Sequence, residues 1–203
     1  MRVRPGAKRY ILGLTLVLGI CAESAAETPD DEAALEAKIR DCASCHGSDG
    51  NSAREGIPSL AGQPEKFLID QLILIREGVR RSELMRPFVR GFDDATIVAI
   101  AKRFASMPAR PPKGPPNPDL AARGRALVQS GHCRGCHQSD LSGRAQIPRL
   151  AGQREDYLAA TLRAYRDGKA SRPDTTMNNI MYGASDEEIQ GLAHFLAHAP
   201  LVD

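Results

Sequence analysis

The sequence predicts an all-α protein built as two similar domains in tandem, and three observations carry that expectation. The segment IPSLAGQPEKFL at 57–68 returns as IPRLAGQREDYL at 147–158, a shift of 90 residues in which six of the first seven positions are identical, so the chain is internally duplicated. Apolar residues recur at spacings of three and four in both copies, and no stretch alternates convincingly as a strand would. Between the copies, Pro108, Pro111, Pro112, Pro115, Pro116 and Pro118 fall within eleven residues, a run that excludes helix and makes a stiff, extended connector.

In chain order, residues 1–26 come first. Arg2, Arg4, Lys8 and Arg9 precede the apolar run 11–20 and a small-residue Ser24-x-Ala26 site, the three parts of a cleavable secretory signal. That run is well short of the ~20 apolar residues a membrane-spanning helix needs. Cys21 then leaves with the signal, since Ile20 before it is not the small residue that lipidation would want. Removing 1–26 leaves 23 basic and 24 acidic side chains. They divide as −3 over 27–108 and +2 over 109–203, a weak dipole that suits a protein partner better than nucleic acid.

The first domain is expected over 27–107, the connector over 108–118 and the second domain over 119–203. Each opens with a helix start: Thr28-Pro29-Asp30 and Asn117-Pro118-Asp119 both place a capping residue, a first-turn proline and an acid at the positive helix end. A second helix carries Leu68, Leu72 and Ile75 before Gly78, matched by Leu158, Leu162 and Tyr165 before Gly168. The third buries Ile97, Ile100, Ala101 and Phe104, matched by Ile189, Leu192, Ala193 and Leu196, where Ser185 and Glu188 have capping-box spacing.

A chain with no tryptophan, five Phe and four Tyr has little aromatic surface for the cores of two short domains. The cysteines supply the remedy. Cys42-Ala43-Ser44-Cys45-His46 lies before the first repeated segment and Cys133-Arg134-Gly135-Cys136-His137 before the second. Residues i, i+3 and i+4 share one side of a helical turn, so two thiols can form thioethers to a haem while the adjacent imidazole ligates its iron. We assign Cys42, Cys45 and His46 to one covalently bound haem c, and Cys133, Cys136 and His137 to another. A zinc ribbon would bring its cysteine pairs within about 20 residues, whereas 87 separate Cys45 from Cys133. A thioredoxin-like pair would need a βαβ pattern that is missing.

The second axial ligand separates a carrier from a catalyst, because an open iron position binds small molecules and a His/Met pair closes it. The first domain has no histidine besides His46, which leaves Met85 and Met107; Met107 lies beyond the last helix, so Met85 is preferred. The duplication pairs Met85 with Met177, each seven residues before the edge of the last helix, and leaves Met181 to packing. Pro58 and Pro148 lie twelve and eleven residues after the histidines, where a carbonyl could accept the Nδ1 proton. His194 and His198, one helical turn apart, have a spacing that could bind a metal, but they and His132 are expected on the surface.

CASCHGSDGNS at 42–52, the twice-used IPxLAGQ and a methionine before each last helix resemble the cytochrome c-four family of periplasmic dihaem class I cytochromes c. The likeness covers essentially the whole chain after residue 26. It implies Cys42, Cys45, His46, Met85 and Cys133, Cys136, His137, Met177 as haem-binding residues, with Pro58 and Pro148 supporting the histidines. It also implies two domains facing each other about a pseudo-twofold axis, and a carrier shuttling electrons in the periplasm between a quinol-oxidising complex and a terminal oxidase, with peripheral membrane association where those partners require it. No small-molecule substrate and no catalytic residue is expected. The alternatives are the dihaem subunit of a flavocytochrome such as sulfide dehydrogenase and, with an open iron, a dihaem peroxidase or small-molecule sensor. Gln138-Ser139-Asp140-Leu141 stands where the first copy has the Gly47-x-x-Gly50 turn, so a different loop is expected there.

Overall fold

The structure, a computed structural model, describes residues 29–112, 114–171 and 174–201; the expected signal at 1–26 lies outside them. In the N-terminal half, α1 (Pro29–His46), α2 (Glu65–Arg76), α3 (Arg86–Val89) and α4 (Asp94–Ala105) follow one another. The C-terminal half runs α5 (Pro118–Ser130), α6 (Cys133–His137), α7 (Glu155–Arg166), α8 (Thr175–Met181) and α9 (Asp186–Ala197). One isolated bridge, Arg144 to Ile147, is the sole β pairing among the described residues.

Two of the caps read from sequence are formed, and Thr28 lies outside the described residues. Asn117 accepts from the backbone N–H of Asp119 and Leu120, with Pro118 in the first turn of α5. Ser185 and Glu188 complete a capping box at α9. Gly78 and Gly168 take φ of 75° and 65° after α2 and α7, a backbone that glycine adopts without a Cβ penalty. Two matching ion pairs tie the second helix to the last in each half, Arg76 to Asp94 at 2.7 Å and Arg166 to Asp186 at 2.8 Å.

Each half has its own core. Ile39, Leu68, Ile100, Ala101 and Phe104 form the first. Val128, Leu141, Leu158, Leu162, Tyr165, Ile189, Leu192 and Leu196 are among those that form the second. Here α5 crosses α9 so closely that a Cβ on Gly124 would stand 2.0 Å from the Gly191 carbonyl oxygen.

The loop expected to differ does not. Gly47 and Gly50 have φ of 89° and 73°, and Gln138 and Leu141 in the second copy likewise take positive φ, 72° and 64°. Both turns close alike: the Gly50 carbonyl accepts from Leu60 and Ala61 N–H, and the Leu141 carbonyl from Leu150 and Ala151 N–H. Non-glycine residues there cost of order 1 kcal/mol each. Leu141 offsets this by filling the core, where it is fully buried.

The repeated IPxLAGQ segments meet each other. Gln63 donates to the Arg149 carbonyl at 3.0 Å and accepts from its N–H at 3.0 Å. Its counterpart Gln153 donates to the Ser59 carbonyl at 2.9 Å and accepts from its N–H at 2.8 Å. Residue i reaches j and j' reaches i', the signature of a twofold interface. Arg149 breaks the symmetry. It stands where the first copy has Ser59 and is 5% exposed, with its guanidinium on the Ala61, Gly62 and Ala151 carbonyls. Burial lowers its pKa to about 10, so it remains charged at neutral pH, and its guanidinium partners among the described residues are backbone carbonyls. Arg149→Ala should therefore cost about 2 kcal/mol by stranding buried carbonyls, read as a lower denaturant midpoint.

Candidate functional site

Both Cys-x-x-Cys-His motifs lie on helical turns, at the end of α1 and in α6. His132, exposed with φ of 54°, breaks the chain between α5 and α6 and so places Cys133 at a fresh helix start. Desolvation raises the Cys42 thiol to about 11, assisted by the charge of Asp41, and raises Cys133 as well. No disulfide joins any of the four described cysteines.

His46 and His137 are buried, at 5% and 8% exposure. Nδ1 of His46 donates to the Pro58 carbonyl at 2.8 Å, and Nδ1 of His137 to the Pro148 carbonyl at 2.9 Å. Donation from Nδ1 leaves the lone pair on Nε2, the tautomer a metal requires. The Nε2 of His46 is buried and has no hydrogen-bond partner. Burial pushes the His46 pKa down, only partly opposed by the Pro58 bond, so the ring is neutral. An unmet buried acceptor costs about 1–3 kcal/mol. A haem iron would satisfy it, and the donor set therefore fits the group.

Met85 and Met177 occupy matching places. Met85 N–H donates to Ser82 Oγ at 3.3 Å at the head of α3, and Met177 N–H to Asp174 Oδ1 at 3.2 Å in the first turn of α8. Both are half-buried. Met181 is buried in the second core, and Met107 packs beside the first, its Sδ 3.1 Å from where a Gly50 Cβ would stand.

One expectation is corrected. His194 is buried rather than exposed, its Nδ1 2.9 Å from Glu155 Oε2 and its Nε2 accepting from Asn117 N–H at 2.8 Å. The surface is the ordinary place of a helix histidine, but here the connector returns over this part of α9 and covers it. Glu155, His194 and His198 place ligand atoms within 4.8 Å of one another, yet both His194 nitrogens are already engaged in holding the connector to α7 and α9. Gln63 and Gln153 had no role in the sequence reading, although their retention in both copies was the available signal.

The family model for cytochrome c matches residues 34–108 and again 121–200. Cytochrome c4 of Pseudomonas aeruginosa is 32% identical over 199 residues, covering 93% of this chain and 97% of that one. A protein of Stutzerimonas stutzeri named thiosulfate dehydrogenase electron acceptor is 32% identical, covering 77% and 78%. The crystal structure of reduced recombinant cytochrome c4 from Pseudomonas stutzeri superposes with a TM-score of 0.75 at 30% identity, over 83% of this chain and 98% of that one. Two matched cytochrome c segments, near-complete coverage by cytochrome c4 sequences and the shared two-domain helical fold agree with the paired histidine sites. The chain belongs to the cytochrome c4 family and is a dihaem electron-transfer cytochrome, an electron carrier with two covalently bound haem c groups rather than an enzyme.

Proposed function

We propose that Cys42 and Cys45 hold one haem c, with His46 and Met85 as its axial ligands, and that Cys133, Cys136, His137 and Met177 do the same for the second. Each bound haem supplies an iron that exchanges one electron between Fe(II) and Fe(III). The chain's own residues fix the ligands. Pro58 and Pro148 hold the imidazole rings through Nδ1, and Ser82 and Asp174 hold the backbone of the two methionines. The observation that carries this reading is the buried His46 Nε2, which has its ring oriented and its lone pair unmet. The two haem domains are taken as 27–107 and 119–203, joined by the connector 108–118.

The carrier works in the periplasm after removal of residues 1–26, and no described helix is long and apolar enough to cross a membrane. Its partners are redox proteins, among them a quinol-oxidising complex and a terminal oxidase. A second reading, as the electron acceptor of a dedicated redox enzyme, is favoured by the two relatives named for thiosulfate dehydrogenase. Flavocytochrome subunits such as that of sulfide dehydrogenase are a variant of it.

Redox titration with absorption spectra of the purified exported protein tests the assignment. Two haem equivalents, attached covalently, and the methionine-to-iron charge-transfer band in the oxidised form are expected. Mass spectrometry showing no added tetrapyrrole would overturn it. Haem reduction by thiosulfate or sulfide only when the cognate dehydrogenase copurifies would select the second reading.

A further inference from the structure

We propose that Gln63 and Gln153 are cross-domain positioning residues, each fixing the peptide group that anchors the axial histidine of the opposite domain, so that each half of the molecule sets the potential of the other's iron. This rests on the reading of His46 and His137 as axial ligands. The geometry is a continuous relay. Nδ1–H of His46 donates to the carbonyl of Pro58 at 2.8 Å. The N–H of that same peptide unit belongs to Ser59 and donates to Oε1 of Gln153, from the other domain, at 2.8 Å. In the mirror relay, Nδ1–H of His137 donates to the Pro148 carbonyl at 2.9 Å, and the Arg149 N–H of that peptide donates to Gln63 Oε1 at 3.0 Å. Each glutamine also clamps the next carbonyl along, Gln153 that of Ser59 and Gln63 that of Arg149, and Gln153 Oε1 accepts in addition from the N–H of its neighbour Arg154 at 2.9 Å. Gln63 and Gln153 are 3% and 4% exposed, which keeps competing water from the relay.

The sign follows from amide resonance. An acceptor on a peptide N–H draws negative charge onto that peptide's carbonyl oxygen, and hydrogen bonds in such a chain strengthen one another. A stronger acceptor at Nδ1 makes the imidazole more basic, and a more basic axial ligand favours the ferric state. Each glutamine therefore holds the opposite iron at a lower potential than it would have without the relay. Plain interface adhesion would not distinguish one domain from the other. The relay does, and it does so crosswise.

The test uses the two-haem holoprotein and the variants Gln153→Met and Gln63→Met, which keep side-chain length while removing both cross-domain hydrogen bonds. Midpoint potentials are resolved by domain from the haem-methyl NMR resonances, and deuterium exchange of each axial histidine Nδ1–H is followed. Gln153→Met should raise the potential of the N-terminal iron and speed exchange at His46, leaving the C-terminal iron where it was. Gln63→Met should do the reverse. Shifts confined to the mutated domain, equal shifts at both irons, or none in either variant would overturn the proposal. Should the methionine variants fail to yield folded protein, Gln153→Glu and Gln63→Glu, which keep the acceptor, are read by His Nδ1–H exchange: slow exchange in the opposite domain supports the relay and fast exchange refutes it. A wild-type protein lacking the methionine band and the histidine Nδ1–H resonances would instead overturn the axial assignment, and the proposal with it.

Discussion

Met177→Ala is expected to leave the C-terminal iron with a vacant coordination position, so that the reduced protein binds one equivalent of carbon monoxide where the parent binds none. Met85→Ala should do the same at the N-terminal iron. Each substitution should lower the potential in its own domain by a substantial part of the about 0.8 V over which axial ligands range, because thioether ligation favours the ferrous state. The reason for choosing these two methionines is local. Met85 caps α3 and Met177 lies in the first turn of α8, and both have their backbone N–H tied to a side-chain oxygen three residues earlier, Ser82 Oγ or Asp174 Oδ1. Met181 and Met107 are the controls. Met181 is 3% exposed within the C-terminal core, and Met107 packs beside the N-terminal one. Met181→Ala should cost about 2–4 kcal/mol through the cavity it leaves, with no gain in carbon monoxide binding. Carbon monoxide bound by Met181→Ala and not by Met177→Ala would reverse the ligand assignment.

What could be read from the sequence was whatever the duplication wrote twice. The three long helices of each half, Asn117 and Ser185 at their caps and the glycines ending α2 and α7 all follow from local chemistry, and all are present. The proline carbonyls behind His46 and His137 were legible for the same reason, since a repeated spacing pointed to them. The short helices α3 and α8 were not read, because four and seven residues are too few to show a period. The Gln138 to Leu141 loop misled because glycine is the ordinary occupant of a left-handed turn, while buried packing at Leu141 makes a non-glycine tolerable. His194 misled because the connector that covers it comes from 77 residues away. Nor did the duplication announce the differences between the halves. Ala33, equivalent to Gly124 when the two Cys-x-x-Cys-His motifs are aligned, is exposed on α1, whereas Gly124 is buried on α5.

Gly124 bears the second large expected effect. A Cβ built there would stand 2.0 Å from the carbonyl oxygen of Gly191 and 2.5 Å from Cβ of Phe195, both on α9. Neither neighbour is the free end of a flexible side chain, so relief requires α5 and α9 to move apart. Alanine would otherwise improve the helix by about 1 kcal/mol over glycine. Separating packed helices costs about 1–3 kcal/mol and more where backbone meets backbone, so the clash outweighs the propensity gain. Gly124→Ala should therefore lower the denaturant midpoint of the holoprotein by the equivalent of about 3 kcal/mol. Gly191→Ala is the matched control. Its Cβ would meet the backbone N of Gly124 at 3.3 Å, relieved by a backbone shift of a few tenths of an ångström, and Arg123 side-chain carbons at 3.4 Å, which a long side chain absorbs. With the same gain in propensity, it should change stability by less than about 1 kcal/mol. Equal effects from the two substitutions would show that α5 and α9 do not cross with Gly124 as the point of contact. The expected asymmetry also bears on the haem site, because α5 leads directly through Gly131 and His132 into Cys133. A helix displaced from α9 carries the C-terminal attachment motif with it, so Gly124→Ala should perturb the C-terminal haem spectrum while the N-terminal one keeps its parent form.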